Sequence, residues 1–255
     1  MGVCKSDKFL RLSRSRCLLT SIKFEEELGF RPLITATTAE GIRQQDLELG
    51  TALFQKYAAE FPVPESSVTL TEHQTPAGVR LKSYTPSDSS SAKPVVCYFH
   101  GGGFVVGDVD RDDALVSRFA KDTGLVFVSV EYRLAPENPY PAGFNDCIEA
   151  SLWCMENPGS LKSSGSVILM GGSAGACLAL GVALKLIELG NDSSLKGVVA
   201  CQPMTLHPDH VPNEFRDHYA SYDENATLTL NTAQAMRAFF SKHNKNQAMC
   251  SVIRY

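Results

Sequence analysis

The chain has 255 residues, 44% of them hydrophobic and 20% charged, with a net charge of −4. That is enough apolar sequence for the core of one soluble α/β domain, and the charge is too mild for a nucleic-acid or other polyanionic partner. No apolar run reaches the roughly 18 residues of a membrane-spanning helix, and the first residues lack the apolar stretch of a cleavable signal peptide.

The eight cysteines (Cys4, Cys17, Cys97, Cys147, Cys154, Cys177, Cys201 and Cys250) are scattered, and several fall inside apolar strand or helix patterns. They read as free thiols in a reducing compartment rather than a disulfide framework. The absence of a CxxC pair argues against structural zinc. The sequons at Asn191 and Asn225 read as chance matches, and the expected compartment is the cytoplasm.

The first twenty residues carry Lys5, Lys8, Arg11, Arg14 and Arg16 against Asp7 and show no periodicity. They predict a disordered basic leader, or a misplaced start. Gly2 with Cys4 fits a loose lipidation pattern, the single route by which a membrane would enter as a partner. Residues 21–65 form an N-terminal cap region. In it, Ile42, Leu49, Leu53, Phe54 and Tyr57 recur at helical spacing over 39–60, and Phe61-Pro62-Val63-Pro64 ends the helix. Alternating stretches near 66–73 and 79–85, separated by Pro76-Ala77-Gly78, predict an antiparallel hairpin.

From Lys93 a strand–loop–helix rhythm takes over, and residues 66–255 read as one domain. Strands are predicted at Val95–Phe99, Leu125–Val130, Val167–Met170 and Val198–Cys201, with helices near 111–122, 142–156 and 174–189. Runs apolar on both faces suit central parallel strands covered by helices on each side. The predicted fold is a doubly wound, mostly parallel α/β sheet with its site at the carboxyl ends of the strands. After Pro203 the chain is polar and irregular to about Leu230, then predicts one more helix over 232–242.

Gly171-Gly172-Ser173-Ala174-Gly175 lies between a predicted buried strand and a predicted helix. A serine there occupies a tight turn with its hydroxyl exposed and a helix N-terminus behind it. By itself the pattern is also compatible with a glycine-rich structural turn. His100-Gly101-Gly102-Gly103-Phe104 closes the strand Val95–Phe99. Acyl transfer develops an oxyanion on which backbone N–H groups must converge, and glycines leave that approach open. A phosphate cradle is the competing reading, but no Lys-Ser/Thr follows in P-loop register. His100 reads as structural, pinning the loop. A third signal is Glu131-Tyr132-Arg133-Leu134-Ala135-Pro136-Glu137, followed by Pro139-Tyr140-Pro141-Ala142.

Taken together, the three motifs resemble the hormone-sensitive-lipase-like carboxylesterases, the α/β-hydrolase fold-3 group, over residues 40–245. The segment from His207-Pro208-Asp209-His210 to Tyr222-Asp223-Glu224-Asn225 is similar to fungal secondary-metabolism esterases of the versiconal hemiacetal acetate type. The resemblance implies an α/β-hydrolase fold with a helical cap and hydrolysis of a small ester without metal or organic cofactor. Ser173 would be the nucleophile, with Gly101, Gly102 and Ala174 as oxyanion donors. His100, Gly103, Gly171, Gly175, Tyr132, Arg133 and Glu137 would support them. Gly172 and Ala176 depart mildly from the family pattern, and both are small enough for the turn.

A serine hydroxyl also needs a histidine to take its proton and an acid to orient that histidine. Neither the family's acid motif nor its histidine motif is found after Ser173. His207, His210 and His218, with Asp209, Asp217 and Asp223, are the nearby stand-ins, and they read as solvated loop residues rather than a base or a metal site. The chain is therefore expected to be C-terminally truncated, with its last strands missing and turnover weak or absent. A non-catalytic ligand-binding homologue, as gibberellin receptors are within the family, and a homo- or hetero-dimerising partner are the alternatives.

Overall fold

The computed structural model describes residues 25–29, 33–59, 63–205, 207–218 and 232–243. The basic leader over 1–20, Gly2, Cys4, Asp223, Asn225 and residues 244–255 fall outside it.

Six strands form one sheet in the order β1-β2-β4-β3-β5-β6. β1 (Val68–Gln74) and β2 (Arg80–Pro86) are the predicted antiparallel hairpin. In its turn, Gly78 adopts φ +92, and the Thr75 hydroxyl accepts from Val79 N–H at 3.1 Å. β2 also runs antiparallel to β4 (Phe127–Val130), whereas β4, β3 (Val95–Phe99), β5 (Val167–Gly172) and β6 (Leu195–Cys201) are mutually parallel. The sheet is thus mixed, a parallel core with the hairpin appended at one edge.

Every residue of β3 and β4 is buried, because helices cover both faces. α2 (Asp113–Thr123) brings Val116 and Ala120 against Val96, Tyr98 and Phe127 on one face. α3 (Ala142–Glu156) and α4 (Ala174–Glu188) cover the other. There Cys147, Ala150, Leu178 and Val182 share a cluster with Val95, Cys97, Val128 and Leu169. Each fully buried Leu or Val contributes about 1.5–3 kcal/mol of hydrophobic stabilisation. Cys97, Cys147, Cys154 and Cys177 are reduced cysteines buried in this core, and Cys201 is an exposed one.

β6 forms the other edge of the sheet and has no fully buried residue, and Val199 is 44% exposed.

The predicted cap helix is α1 (Ala39–Tyr57), capped by the Thr38 hydroxyl, which accepts from Gly41 N–H at 3.1 Å. Its apolar stripe is buried at Ile42 alone, and Phe54 is 58% exposed. The helix lies over a cavity rather than in close-packed core, so one side of its stripe faces open space. Two short 3-10 turns, Pro208–His210 and Asn213–His218, interrupt the segment expected to be irregular. α5 (Ala233–His243) follows and buries Ala235, Met236, Phe239 and Phe240.

Candidate active site

β5 ends at Gly172 and α4 begins at Ala174, so Ser173 alone makes the turn, at φ 53 and ψ −115. Positive φ at a non-glycine residue costs on the order of 1–3 kcal/mol and persists where the surroundings over-determine it. Here they do. Ser173 N–H donates to Cys201 C=O at 2.8 Å. A Cβ on Gly171 would lie 2.3 Å from the Gly175 carbonyl carbon, and one on Gly175 would lie 2.0 Å from the Phe99 oxygen. Strand and helix pass so closely that neither position tolerates a side chain.

The glycine loop after β3 lies against this turn. A Cβ on Gly101 would sit 3.2 Å from the Gly172 oxygen and 3.8 Å from Ser173 Cβ. Gly102 has φ +121, and its Cβ would meet the Val106 oxygen at 2.0 Å. Gly103 has φ +60, and its Cβ would meet the Phe239 ring at 2.2 Å. His100 Nδ1 is 2.7 Å from the Gly101 oxygen, and the Tyr132 hydroxyl donates to His100 C=O at 2.8 Å. The two rings stack at 4.2 Å. Burial holds the imidazole below its ordinary pKa and therefore neutral. Its Nε2 is buried with no hydrogen-bond partner.

The third motif ties this loop to its neighbours. Arg133 donates its backbone N–H (2.9 Å) and guanidinium (2.8 Å) to the buried carboxylate of Asp146. Glu137 accepts two bonds of 2.7 Å from Arg43 of α1, and those bonds hold its carboxyl down to about 2. Arg43 also donates to the carbonyls of Val105 (3.0 Å) and Ala135 (3.1 Å), fastening α1 beside the glycine loop.

Above Ser173 and Gly101–Gly103 opens a cavity of about 350 Å³. Its apolar side comes from Ile34, from Ile42 and Leu49 of α1, and from Met204 and Phe239. Its polar side comes from Asp46 of α1 and from Asp108, Arg111 and Asp112, which follow the glycine loop.

The loop histidines lie elsewhere. His207 and His210 face each other with centroids 4.8 Å apart, and His207 Nδ1 accepts from Asp209 N–H. The Asp209 carboxylate pairs with Arg237 at 2.7 Å. His207, His210 and Asp209 do not line the cavity, and the side chains of Asp217 and His218 lie outside what the structure describes. Among the described residues, no histidine or carboxylate is hydrogen-bonded to the Ser173 hydroxyl, and no three His, Cys, Asp or Glu side chains converge as metal ligands. No helix among them is long and apolar enough to cross a membrane.

A serine on a strained strand-to-helix turn, faced by a glycine-rich loop from the adjoining parallel strand, is the arrangement expected at an α/β-hydrolase site. The chain belongs to the α/β-hydrolase fold family Abhydrolase_3, whose sequence profile matches residues 96–255. It is similar to the versiconal hemiacetal acetate esterases of Aspergillus parasiticus and Emericella nidulans, each 39% identical, over 218 and 183 residues. These matches cover 86% and 71% of this chain and 67% and 62% of the relatives, so the chain spans about two thirds of their length. Among solved structures, a hyperthermophilic esterase from the archaeon Pyrobaculum calidifontis superposes with a TM-score of 0.72 at 28% identity. It covers 94% of this chain and 74% of that one. By family, then, the chain is a carboxylesterase-type hydrolase.

Sequence reading located the serine, the glycine loop and the helices over 39–60 and 232–242. It did not find Arg43, Asp46, Arg111 or Asp146, whose partners are distant in sequence. One hint was legible. Asp46 lies four residues after Ile42 and three before Leu49, a charge inside the apolar stripe of α1.

Proposed function

We propose that the chain acts on small carboxylic esters through an acyl-Ser173 intermediate, with the N–H groups of Gly101, Gly102 and Ala174 stabilising the tetrahedral oxyanion. The observation that carries this reading is Ser173, held at φ 53 with the Gly101 backbone beside it. Ala174 opens α4, so its N–H is one of the first-turn donors that a helix leaves unpaired. His100, Tyr132, Arg133 and Glu137 act as supports, and no step is assigned to a metal or organic cofactor. The names of the fungal relatives, versiconal hemiacetal acetate esterases, favour an acetate ester, and the reduced cysteines favour the cytoplasm as the compartment.

Because no histidine or acid reaches Ser173 among the described residues, this chain by itself turns over slowly. An oxyanion hole without its base retains a rate on the order of 10³–10⁴ over water. The test is p-nitrophenyl acetate hydrolysis by the chain and by Ser173→Ala, with mass spectrometry of the Ser173 peptide. Slow release with an acetyl group on that peptide, both lost in Ser173→Ala, is expected. Equal rates in both proteins would remove Ser173 from the mechanism, and fast turnover lost in Ser173→Ala would overturn the slow-turnover expectation. The same lack of a base at Ser173 among the described residues favours a second reading, a ligand-binding homologue. For it the signature is an ester that raises the melting temperature without being cleaved.

A further inference from the structure

The polar side of the cavity is built more rigidly than a surface loop requires. Asp108 Oδ1 accepts the backbone N–H groups of Asp110 (2.9 Å) and Arg111 (2.8 Å). Asp110 is held by Arg80 at 3.0 Å and also by the buried Lys82. Asp112 accepts from the Tyr98 hydroxyl at 2.8 Å. Asp113 accepts from Lys82 at 2.9 Å and from the Tyr84 hydroxyl at 2.6 Å. Every carboxylate of this loop is thus engaged with the strand side of the molecule or with the loop's own backbone.

Arg111 is the loop's one cation. Its guanidinium reaches across the cavity to α1, where Asp46 accepts from both terminal nitrogens, the longer bond being 3.1 Å. A guanidinium carries five N–H donors, and a bidentate carboxylate takes two of them. The rest have no partner among the described residues, and Arg111 faces a cavity whose apolar wall is formed by Ile34, Ile42, Leu49, Val106, Met204 and Phe239.

We infer that Arg111 is a specificity-determining residue of this cavity. It donates hydrogen bonds to an uncharged oxygen acceptor, a carbonyl or phenol-type oxygen, on the part of an aromatic ester remote from the scissile bond. Asp46 orients the guanidinium and competes with the ligand for it. The inference rests on the ester reading above and names the substrate class within it. The charge balance selects against anionic ligands, since Asp46, Asp108 and Asp112 outnumber Arg111 at the rim. The apolar walls favour a flat ring body, and about 350 Å³ suits a two-ring ester. A site built to donate to an oxygen discriminates against the analogue that lacks it, because the donor is then left unpaired.

The test uses the full chain in a Ser173→Ala background, where cleavage cannot distort affinity. The probes are two bicyclic esters of matched shape. 7-Acetoxycoumarin carries a ring carbonyl, and 2-naphthyl acetate carries no ring oxygen besides the ester. Dissociation constants are read by ligand-observed NMR. We expect the coumarin ester to bind about fivefold tighter, as one hydrogen bond of roughly 1 kcal/mol gives. Arg111→Met should abolish that preference while moving the naphthyl affinity less than twofold.

Asp46→Asn separates recognition from a merely structural staple. Freeing the guanidinium from its competitor should increase the preference for the coumarin ester, whereas a staple role predicts that Asp46→Asn and Arg111→Met weaken both probes alike. A preference unchanged in Arg111→Met, or equal weakening of both probes in both variants, overturns the inference and leaves the ester reading standing. Failure of both probes to bind overturns the inference and the ester reading together. Arg111-dependent binding in the Ser173→Ala chain, with neither ester cleaved by the chain that keeps Ser173, supports the inference and refutes catalysis.

Discussion

The turn at Ser173 and the cavity above it are held by different physics. The turn depends on backbone packing. Gly171 and Gly175 sit where a Cβ would fall 2.3 and 2.0 Å from neighbouring backbone atoms, and that closeness forces Ser173 to φ 53. The cavity depends on side chains brought from far apart: Ile42 and Asp46 from α1, Arg111 from the loop after β3, and Phe239 from α5. The first arrangement is written in five consecutive residues. The second exists only after α1 and α5 have docked. The Ser173 turn should accordingly be sensitive to steric change and indifferent to pH, while the elements around the cavity should respond to charge and pH with smaller steps.

The largest effect expected is Gly175→Val. Its Cβ has nowhere to go but into the Phe99 carbonyl, so the chain should lose at least about 3 kcal/mol. Urea denaturation or loss of soluble protein would register it. A variant of wild-type stability would show that strand and helix can separate, and would break the steric account of the turn.

The second prediction concerns α5, the helix that brings Phe239 to the cavity. His243, at the end of α5, stacks on Phe104 at 3.8 Å, and burial lowers its pKa to about 4. The unfolded chain takes up a proton near pH 6.5 that the folded chain refuses. Stability should therefore fall as pH drops from 6.5 towards 4 and level off below that. The loss attributable to this group is up to about 3 kcal/mol. Denaturation midpoints across that window should fall less steeply in His243→Leu, leaving a slope from buried His100. An unchanged slope would assign the effect elsewhere.

A third, smaller change sharpens the strain argument. Ser173→Gly should raise stability by about 1 kcal/mol, because glycine adopts positive φ without penalty. A loss instead would mean that the serine side chain contributes packing that outweighs its strain. Smallest of all is Glu137→Gln. The pair with Arg43 is largely exposed, with side-chain exposures of 56% and 39%, so its removal should cost less than about 1 kcal/mol. Since Arg43 lowers the Glu137 pKa to about 2, the contribution is present above the ordinary carboxylate range and disappears as pH falls towards 2. Thermal melts at neutral pH and near pH 2.5 would show the difference between wild type and variant shrink.

Legibility in the sequence follows the same division. Val95–Phe99 and Ala142–Glu156 were readable to the residue, since a buried strand and a long helix each impose their own periodicity. The strand predicted at Leu125–Val130 begins two residues later, at Phe127. The strand near Val198–Cys201 begins earlier, at Leu195, because Lys196 and Gly197 are tolerated on a sheet edge where an apolar pattern is not required. The stripe on α1 was legible as one side of a helix, but its burial was not, and Ile42 alone is buried. Periodicity reveals which residues share a side of a helix and not what that side will meet.

By itself the sequence determined the parallel α/β rhythm, the serine between strand and helix, and the glycine loop that faces it. Each is a local requirement: a small residue where backbones nearly touch, or a period that repeats within one element. Only the tertiary structure decided that Arg43 clasps Glu137, that Asp146 holds Arg133, and that Asp46 and Arg111 meet across the cavity. Those contacts join residues 13 to 94 positions apart, and any of many acids in the chain could have satisfied each arginine. Charge pairing has no sequence period, so docking alone selects the partner.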